Sequence, residues 1–271
     1  MSVFLNSSDS FLDSHAHNLI VIKVGTNSIM TESNLNKAFL TELVSEVASL
    51  IRNGKRVIIV TSGAIGLGKR RIGFVSGTST SIKAQQTSIK EQQGLAAIGQ
   101  LVLIGEYAKR FELVGLECAQ ILLSQRDLMD KNCLTNIQNT FDFLFEHGIV
   151  AIVNENDVVA TEELRQNGAF SDNDALAALL SKQLGANLLV MLTSKNGLIG
   201  KDGKILEKFN HVDELCVMKK NSSDGRGGID SKLASIEKVR SCGCDIFISG
   251  QDYFKGFSEG KAKGTFCSTY K

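Results

Sequence analysis

The chain has 271 residues, 43% of them hydrophobic, and its 30 basic side chains nearly balance its 29 acidic ones. This balance excludes a strong overall electrostatic field that would attract nucleic acid or an anionic membrane. No apolar run approaches the roughly 18 residues of a membrane-spanning helix. Six scattered cysteines and the absence of a secretory pattern near the start favour reduced thiols in the cytoplasm.

Along the chain, short apolar runs alternate with amphipathic segments after an N-terminal extension, residues 1–18. The predicted strands are 19–24 (LIVIKV), 56–60 (RVIIV), 116–123 (LECAQILL), 149–153 (IVAIV), 187–192 (NLLVML) and 245–249 (DIFIS). Apolar residues at helical spacing predict helices over 35–51, 88–113, 137–145, 172–184 and 230–241. Apolar strands between such helices predict an α/β fold, a three-layer αβα sandwich with a mainly parallel central sheet. We expect one domain over 19–271.

The connecting segments carry further predictions. Residues 74–87 are polar and aperiodic, and we expect a loop there that closes over the substrate as a lid. Residues 201–204 (KDGK) predict the turn of a hairpin. The chain contains no proline, so its helix starts and turns must depend on Ser, Asn, Asp and Gly.

Parallel sheets bind ligands at the carboxyl ends of their strands, so the motifs that follow strands are the candidate sites. Lys23 lies near the end of the first strand; the motif alone fits equally a ligand-facing lysine and one that only reaches water. The glycines of TSGAIGLG (61–68) either make a tight turn or present N–H groups to an anion. In GRGGIDSK (225–232), three glycines and a lysine precede a helix, and we favour phosphate binding over a flexible surface loop.

Acidic and amide side chains crowd into residues 154–174. They form two clusters: Asn154, Asn156 and Asp157 after a strand, and Asp172, Asn173 and Asp174 at a helix start. Capping a helix explains one residue of the second cluster and not three. Together the clusters offer donors and acceptors suited to a small zwitterion with ammonium and carboxylate groups. A calcium loop is the rival hypothesis, but its spacing is not matched, and the four histidines lack metal-ligand spacing.

Six segments in order carry a family resemblance: IKVGTNSIM (22–30), VTSGAIGLGKRRIG (60–73), AAIGQ (96–100), NENDVVATEE (154–163), FSDNDALAALL (170–180) and GRGGIDSKLAS (225–235). Over residues 19–250 the chain resembles the glutamate 5-kinases of the amino-acid kinase family. The resemblance implies an αβα sandwich with the amino-acid site in the N-terminal half and the ATP site in the C-terminal half. It implies ATP-dependent phosphorylation of the side-chain carboxylate of L-glutamate to L-glutamyl 5-phosphate, the first step of proline biosynthesis.

The same resemblance assigns residues to roles. Lys23 and Lys232 would neutralise the transferring phosphoryl group, and Asp174 would hold both ammonium groups in place. The residues implied to bind glutamate are Ser62, Asp157 and Asn173, with Asn154 and Asp172 as supporting contacts. Those implied to line the ATP site are Lys23, Thr193, Ser194, Arg226, Gly227, Gly228, Ile229, Asp230, Ser231 and Lys232. A glutamate side chain, with a pKa of about 4.3, is ionised at neutral pH, so the reaction needs alignment and positive charge but no general base.

The resemblance also implies partners: L-glutamate and ATP with Mg²⁺, feedback inhibition by proline, a homodimer or homotetramer, and neither nucleic acid nor membrane. Ser194 and Arg226 depart from the family, which often has aspartate and threonine there. We expect no RNA-modification-type C-terminal domain. Another amino-acid kinase, acting on acetylglutamate, aspartate or carbamate, and a non-catalytic amino-acid sensor stay open as alternatives. The paired NEND and SDND clusters favour glutamate, and the retained lysines with Asp174 favour an enzyme.

Overall fold

The structure, a computed structural model, describes residues 17–31, 35–75, 88–160, 172–193, 196–209, 236–237 and 239–269. Its strands are β1 (Leu19–Val24), β2 (Arg56–Val60), β3 (Cys118–Leu123), β4 (Val150–Glu155), β5 (Leu188–Thr193), β6 (Asp245–Gly250) and β7 (Thr265–Cys267). Its helices are α1 (Thr26–Ile29), α2 (Lys37–Arg52), α3 (Ala64–Val75), α4 (Ile89–Leu113), α5 (Gln125–Met129), α6 (Lys131–Glu146) and α7 (Asp172–Leu184). Within these ranges, no helix combines the length and the apolar composition needed to cross a bilayer.

The strands form one sheet in the order β3-β4-β2-β1-β5-β6-β7. Neighbouring strands are parallel except for β6 and β7, which are antiparallel. The prediction of a mainly parallel sheet is confirmed. The carboxyl ends of β1, β2, β4 and β5 therefore lie along the same edge, which is the edge where such sheets bind ligands.

Alternate residues of each strand enter two different cores, because successive side chains point to opposite faces of a sheet. Val21 and Val153 pack on the side of α6 and α7. Ile22 and Ile152 pack on the side of α2, α3 and α4. Both faces of the central strands are buried, which is why those strands are apolar throughout and why the predicted three-layer sandwich is confirmed.

Polar side chains start the helices in this proline-free chain. The side chain of Asn36 accepts a hydrogen bond from the N–H of Phe39, and Ser88 and Ser124 each form a reciprocal capping box. The helix predicted over 35–51 therefore begins at Lys37, since Asn36 caps it and Leu35 forms an isolated bridge with Met30. Polar N-terminal caps supply what proline often supplies elsewhere.

The connecting segments are described in part. The predicted hairpin turn is confirmed: the N–H of Gly200 donates to the carbonyl of Lys204 at 2.8 Å, and Gly203 has a φ of +78°. Helix α3 continues to Val75, so the predicted loop starts later than 74, and the predicted lid falls on 76–87, outside the described residues. Of the helix predicted over 230–241, residues 236–237 and 239–241 are described; 236–237 and 239–240 are helical, and 241 lies in a turn.

Candidate active site

Because successive side chains of a strand point to opposite faces of the sheet, polar side chains lie on both faces at its carboxyl edge. Lys23 lies on the same face of its strand as Val21, towards α7, and it pairs in register with Val60 of β2. Asn154 lies on the same face as Ile152, towards α4. The end of β1 can therefore contact the start of α7, while the end of β4 can contact α4.

Lys23 forms an ion pair with Asp174 at this edge. The Lys23 Nζ and Asp174 Oδ1 atoms are 2.6 Å apart, and the two side chains are 5% and 4% exposed. Burying either charge alone would be costly, so each one requires the other. Lys23 therefore does not extend its ammonium group into water, which excludes one of the two interpretations that the sequence left open.

Gly25 leaves space beside the Lys23 ammonium group. A Cβ atom added at Gly25 would lie 3.4 Å from Lys23 Nζ and 3.7 Å from the Leu192 carbonyl oxygen. The backbone of Gly25 is extended, with a φ of −78° and a ψ of 160°. Glycine is therefore not needed there for its backbone conformation, and what it supplies is room next to the positive charge.

Three amide side chains form a connected hydrogen-bond network next to the ion pair. Asn154 Nδ2 donates to Gln100 Oε1 at 2.8 Å. Asn173 Nδ2 donates to Asn154 Oδ1 at 3.2 Å and to Ser62 Oγ at 2.9 Å. The network joins α4, β4, α7 and the turn after β2, and it adjoins the ion pair because Asn173 and Asp174 are consecutive. The structure thus brings together Lys23 with Asp174, and Ser62 with Asn154 and Asn173.

Ser62 is held by the turn that connects β2 to α3. The N–H of Thr61 donates to the carbonyl of Val153 at 2.8 Å, and Thr61 Oγ1 lies 3.1 Å from the Tyr107 hydroxyl. Burial raises the pKa of Tyr107 well above its usual value, so that hydroxyl stays protonated. Gly63 follows with a φ of +100°, a conformation that favours glycine.

Gly68 of the TSGAIGLG motif and Gly99 of α4 serve the contact between α3 and α4. A Cβ atom at Gly68 would collide with the Leu95 carbonyl oxygen, and one at Gly99 would collide with the Ala64 carbonyl oxygen. These two helices therefore cross with their backbones in close contact. Gly63 therefore fits the tight-turn alternative and Gly68 has a packing role, while the alternative of anion binding by this motif stays untested.

The remaining predicted residues are placed less completely. Asp157 is half-buried in a turn that follows β4, where the N–H groups of Val159 and Ala160 donate to the Asn156 carbonyl. Thr193 ends β5 opposite Gly250, at the same edge of the sheet. The predicted ATP-side residues Ser194, Arg226, Gly227, Gly228, Ile229, Asp230, Ser231 and Lys232, and the side chain of Asp172, lie outside the described residues.

Gln100 is a site residue that the sequence analysis did not identify. It belongs to the AAIGQ segment and is 8% exposed. It lies four residues after Ala96 and three before Leu103, both of them buried. A glutamine on the buried face of a helix needs a hydrogen-bond partner, so this position was the signal that could have identified it.

Comparison with families of known proteins agrees with this geometry. The model of the amino acid kinase family matches residues 18–249. The glutamate 5-kinase of Thermotoga maritima is 39% identical over 249 residues, covering 91% of this chain and 67% of that protein. The glutamate 5-kinase of Enterococcus faecalis is 36% identical over 230 residues, covering 81% and 82%. The chain spans 63% of the length of the Methanosarcina mazei glutamate 5-kinase, to which it is 32% identical.

Solved structures show the same fold. A carbamate kinase from Giardia lamblia bound to AMP-PNP superposes with a TM-score of 0.62 and 16% sequence identity, over 95% of this chain and 100% of that one. Another structure of the Giardia carbamate kinase gives a TM-score of 0.61, also at 16% identity. At this level of identity the likeness concerns the αβα architecture alone.

Proposed function

The chain belongs to the amino acid kinase family, and we propose that it transfers the γ-phosphoryl group of ATP to the side-chain carboxylate of L-glutamate. The product is L-glutamyl 5-phosphate, and the reaction starts proline biosynthesis. The observation that carries this proposal is that a buried ion pair and a network of amide side chains lie next to each other at the carboxyl edge of the sheet, because Asn173 and Asp174 are consecutive. The similarity to glutamate 5-kinases over most of the chain supports glutamate as the substrate.

Lys23 supplies positive charge to the transferring phosphoryl group. Phosphoryl transfer develops charge on the oxygens of the group in flight, and fixed cations near those oxygens stabilise the transition state. The Lys23 ammonium is held by Asp174, and Gly25 leaves room beside it. Lys232 is our proposed second cation, on the ATP side. The glutamate carboxylate is itself the nucleophile, and the site needs no base to activate it.

Ser62, Asn154, Asn173 and Asp157 bind and orient the amino acid. Hydroxyl, amide and carboxylate groups together match a ligand that carries one ammonium and two carboxylate groups. Asn173 precedes Asp174 on α7, so a movement of this helix start shifts both the substrate-binding side chain and the anchor of Lys23. Recognition and charge stabilisation are therefore coupled through one helix start.

Mg²⁺ enters this site with ATP. Among the described residues, no group of three or more His, Cys, Asp or Glu side chains could hold a metal ion. In phosphotransferases, Mg²⁺ is often held mainly by phosphate oxygens and water. When bound, it neutralises charge on the phosphate oxygens.

Further features of the proposed enzyme follow from the same activity. We propose a homo-oligomer, since Ile98 and Leu101 on α4 are 38% and 76% exposed and present apolar surface. We propose a cytoplasmic location, which suits cysteines such as Cys118 and Cys133 that form no disulfide. Proline, which carries the same charged backbone groups as the substrate, is our proposed feedback inhibitor.

Glutamate-dependent release of ADP tests the activity. Purified protein is given ATP, Mg²⁺ and one acceptor, with hydroxylamine present to trap an acyl phosphate as its hydroxamate. We expect ADP and hydroxamate to form with L-glutamate and to be much slower with N-acetylglutamate, L-aspartate or carbamate. Preference for another acceptor would indicate a different amino-acid kinase. Binding of L-glutamate without ADP formation would indicate a sensor.

A further inference from the structure

Gln100 lies at the inner end of the amide network and contacts no catalytic side chain directly. We propose that Gln100 is a positioning residue that orients the amides of Asn154 and Asn173, so that Asn173 Oδ1 accepts a hydrogen bond from the α-ammonium group of the substrate. This inference rests on the proposed function and deepens it, because it names the contact that selects a free amino acid.

Both hydrogen bonds between amides have the same direction: each donor NH₂ group points towards the Gln100 end of the network. Gln100 Oε1 accepts from Asn154 Nδ2 at 2.8 Å, and Asn154 Oδ1 accepts from Asn173 Nδ2 at 3.2 Å. Asn173 Nδ2 also donates to Ser62 Oγ at 2.9 Å, so both of its hydrogens are used. Two buried polar atoms of the network have no hydrogen-bond partner among the described residues: Asn173 Oδ1 at the substrate end and Gln100 Nε2 at the other end.

The direction follows from the chemistry of the amide group, which has an acceptor at one end and donors at the other. Because Gln100 turns its oxygen to Asn154, Asn154 must turn its NH₂ group inwards and its oxygen to Asn173. Asn173 then turns its NH₂ group inwards and is left with its oxygen free. Gln100 lies at the other end of this network, two side chains away from the free acceptor, and supplies the oxygen that accepts from Asn154.

A buried acceptor without a partner is costly, so a donor that fills the position is favoured. At neutral pH, L-glutamate has one donor group, its α-ammonium, because both carboxylates are ionised and only accept. The free oxygen of Asn173 therefore selects the ammonium group. A dicarboxylate that lacks an amino group gains nothing from this contact. The reverse orientation would present Asn173 Nδ2 and would suit a carboxylate of the substrate instead.

Two substitutions of Gln100 separate these orientations. Gln100→Met keeps the length of the side chain and removes the acceptor for Asn154. Gln100→Glu keeps an acceptor oxygen in either protonation state and, when ionised, has no donor. Gln138→Met is the matched control, because Gln138 is a half-buried glutamine of α6, on the other side of the sheet, that donates to the carbonyl of Gln183.

Equilibrium binding is measured by calorimetry for L-glutamate and for glutarate, which is the same dicarboxylate without the amino group. For Gln100→Met we expect the Kd of L-glutamate to rise roughly ten- to hundredfold while that of glutarate stays unchanged. For Gln100→Glu we expect a Kd for L-glutamate within about threefold of the unaltered protein. In kinetics, Gln100→Met should raise the KM for L-glutamate and leave kcat and the KM for ATP nearly unchanged.

Several results would overturn the inference. An equal loss for both ligands in Gln100→Met would mean that Gln100 only supports the site in general. A loss in Gln100→Glu as large as in Gln100→Met would mean that the amides point the other way, and Gln100→Glu alone tests this if Gln100→Met does not fold. An unchanged Kd would exclude a positioning role while the proposed kinase activity stood. No ADP formation from L-glutamate by the unaltered protein would remove the proposed function and this inference together.

Discussion

A single buried contact, between Lys23 and Asp174, places a positive charge where the substrate is expected to react. The residues are 151 positions apart, the difference of 174 and 23, so neither could be assigned to the other from spacing. The sequence placed Lys23 near the end of an apolar strand, and the structure has it at the carboxyl end of β1. Its part in a ligand site stays a prediction. The pairing itself was implied only by the family resemblance, since periodicity carries no information on which helix start meets which strand end.

At the same scale, Gly25→Ala tests whether room beside the Lys23 ammonium matters. Alanine can adopt the extended backbone of Gly25, but its Cβ atom would lie 3.4 Å from Lys23 Nζ. We expect the free energy of unfolding to change by less than about 1 kcal/mol, while kcat falls about ten- to hundredfold because the ammonium and the phosphoryl group are misaligned. Urea unfolding and steady-state kinetics check the two parts. An unchanged kcat would show that the space is not used.

Among the elements, the contact between α3 and α4 supports the substrate side of the site. Gly68 and Gly99 allow the two helix backbones to touch. Ser62 lies just before α3, and Gln100 follows Gly99 on α4, so the spacing of the helices sets the distance between two parts of the amide network. The glycines of TSGAIGLG were identified from the sequence, but their partner helix was not, because a crossing depends on three-dimensional packing.

Gly99→Ala should disturb this crossing. Its Cβ atom would collide with the backbone at Ala64, and overpacking of this kind costs about 1–3 kcal/mol of unfolding free energy. We also expect a raised KM for L-glutamate, since Gln100 would move with the helix. Gly105→Ala on the same helix is the control: no atom lies within 4 Å of its Cβ position, and better helix propensity should stabilise the protein by up to about 1 kcal/mol. Equal effects of the two substitutions, measured by chemical unfolding, would contradict the role of the crossing.

Long apolar strands and capped helices were predictable, whereas short elements were not. Strand β7 (Thr265–Cys267) has three residues at the edge of the sheet, and α1 (Thr26–Ile29) has a single turn. Neither is long enough to show a hydrophobic period. Strand β3 (Cys118–Leu123) begins two residues later than the predicted 116–123.

For the whole molecule, the two ends of the described chain meet at the sheet edge opposite the site. His17 Nε2 lies 3.0 Å from Asp245 Oδ2, and the N–H of Thr269 donates to Asp245 Oδ1 at 2.8 Å. His17, two residues before the expected boundary at 19, thus already contacts the domain. The sequence did not indicate this contact, because a lone histidine in a polar segment has no pattern that names its partner.

The Asp245 contact should make stability depend on pH. Burial alone would raise the pKa of Asp245, but the hydrogen bonds from His17 and from the Thr269 N–H outweigh it and hold the pKa below its ordinary value of 3.8. A lowered folded-state pKa stabilises the protein above the unfolded-state pKa, and that contribution is lost as the pH falls through the folded-state pKa. The unfolding free energy of the unaltered protein should therefore exceed that of Asp245→Asn at neutral pH, and the difference should shrink in acid.

Urea unfolding of both proteins across the acid range measures this difference. Asp142→Asn, at an exposed position on α6, serves as the control and should change the unfolding free energy by less than about 0.5 kcal/mol. A difference for Asp245→Asn that stayed constant from neutral pH into acid would show that the carboxylate is not the stabilising group.

The most direct test of the account is the kcat of Asp174→Asn with L-glutamate and ATP, measured beside the unaltered protein. The substitution keeps the shape of the side chain and removes the charge that holds Lys23. We predict glutamate-dependent ADP formation by the unaltered protein and a fall in kcat of about 10²–10³-fold in the variant, with L-glutamate binding retained in calorimetry and a folded protein by circular dichroism. A variant that folds, binds L-glutamate and turns over at the unaltered rate would contradict the claim that this ion pair carries the phosphoryl transfer.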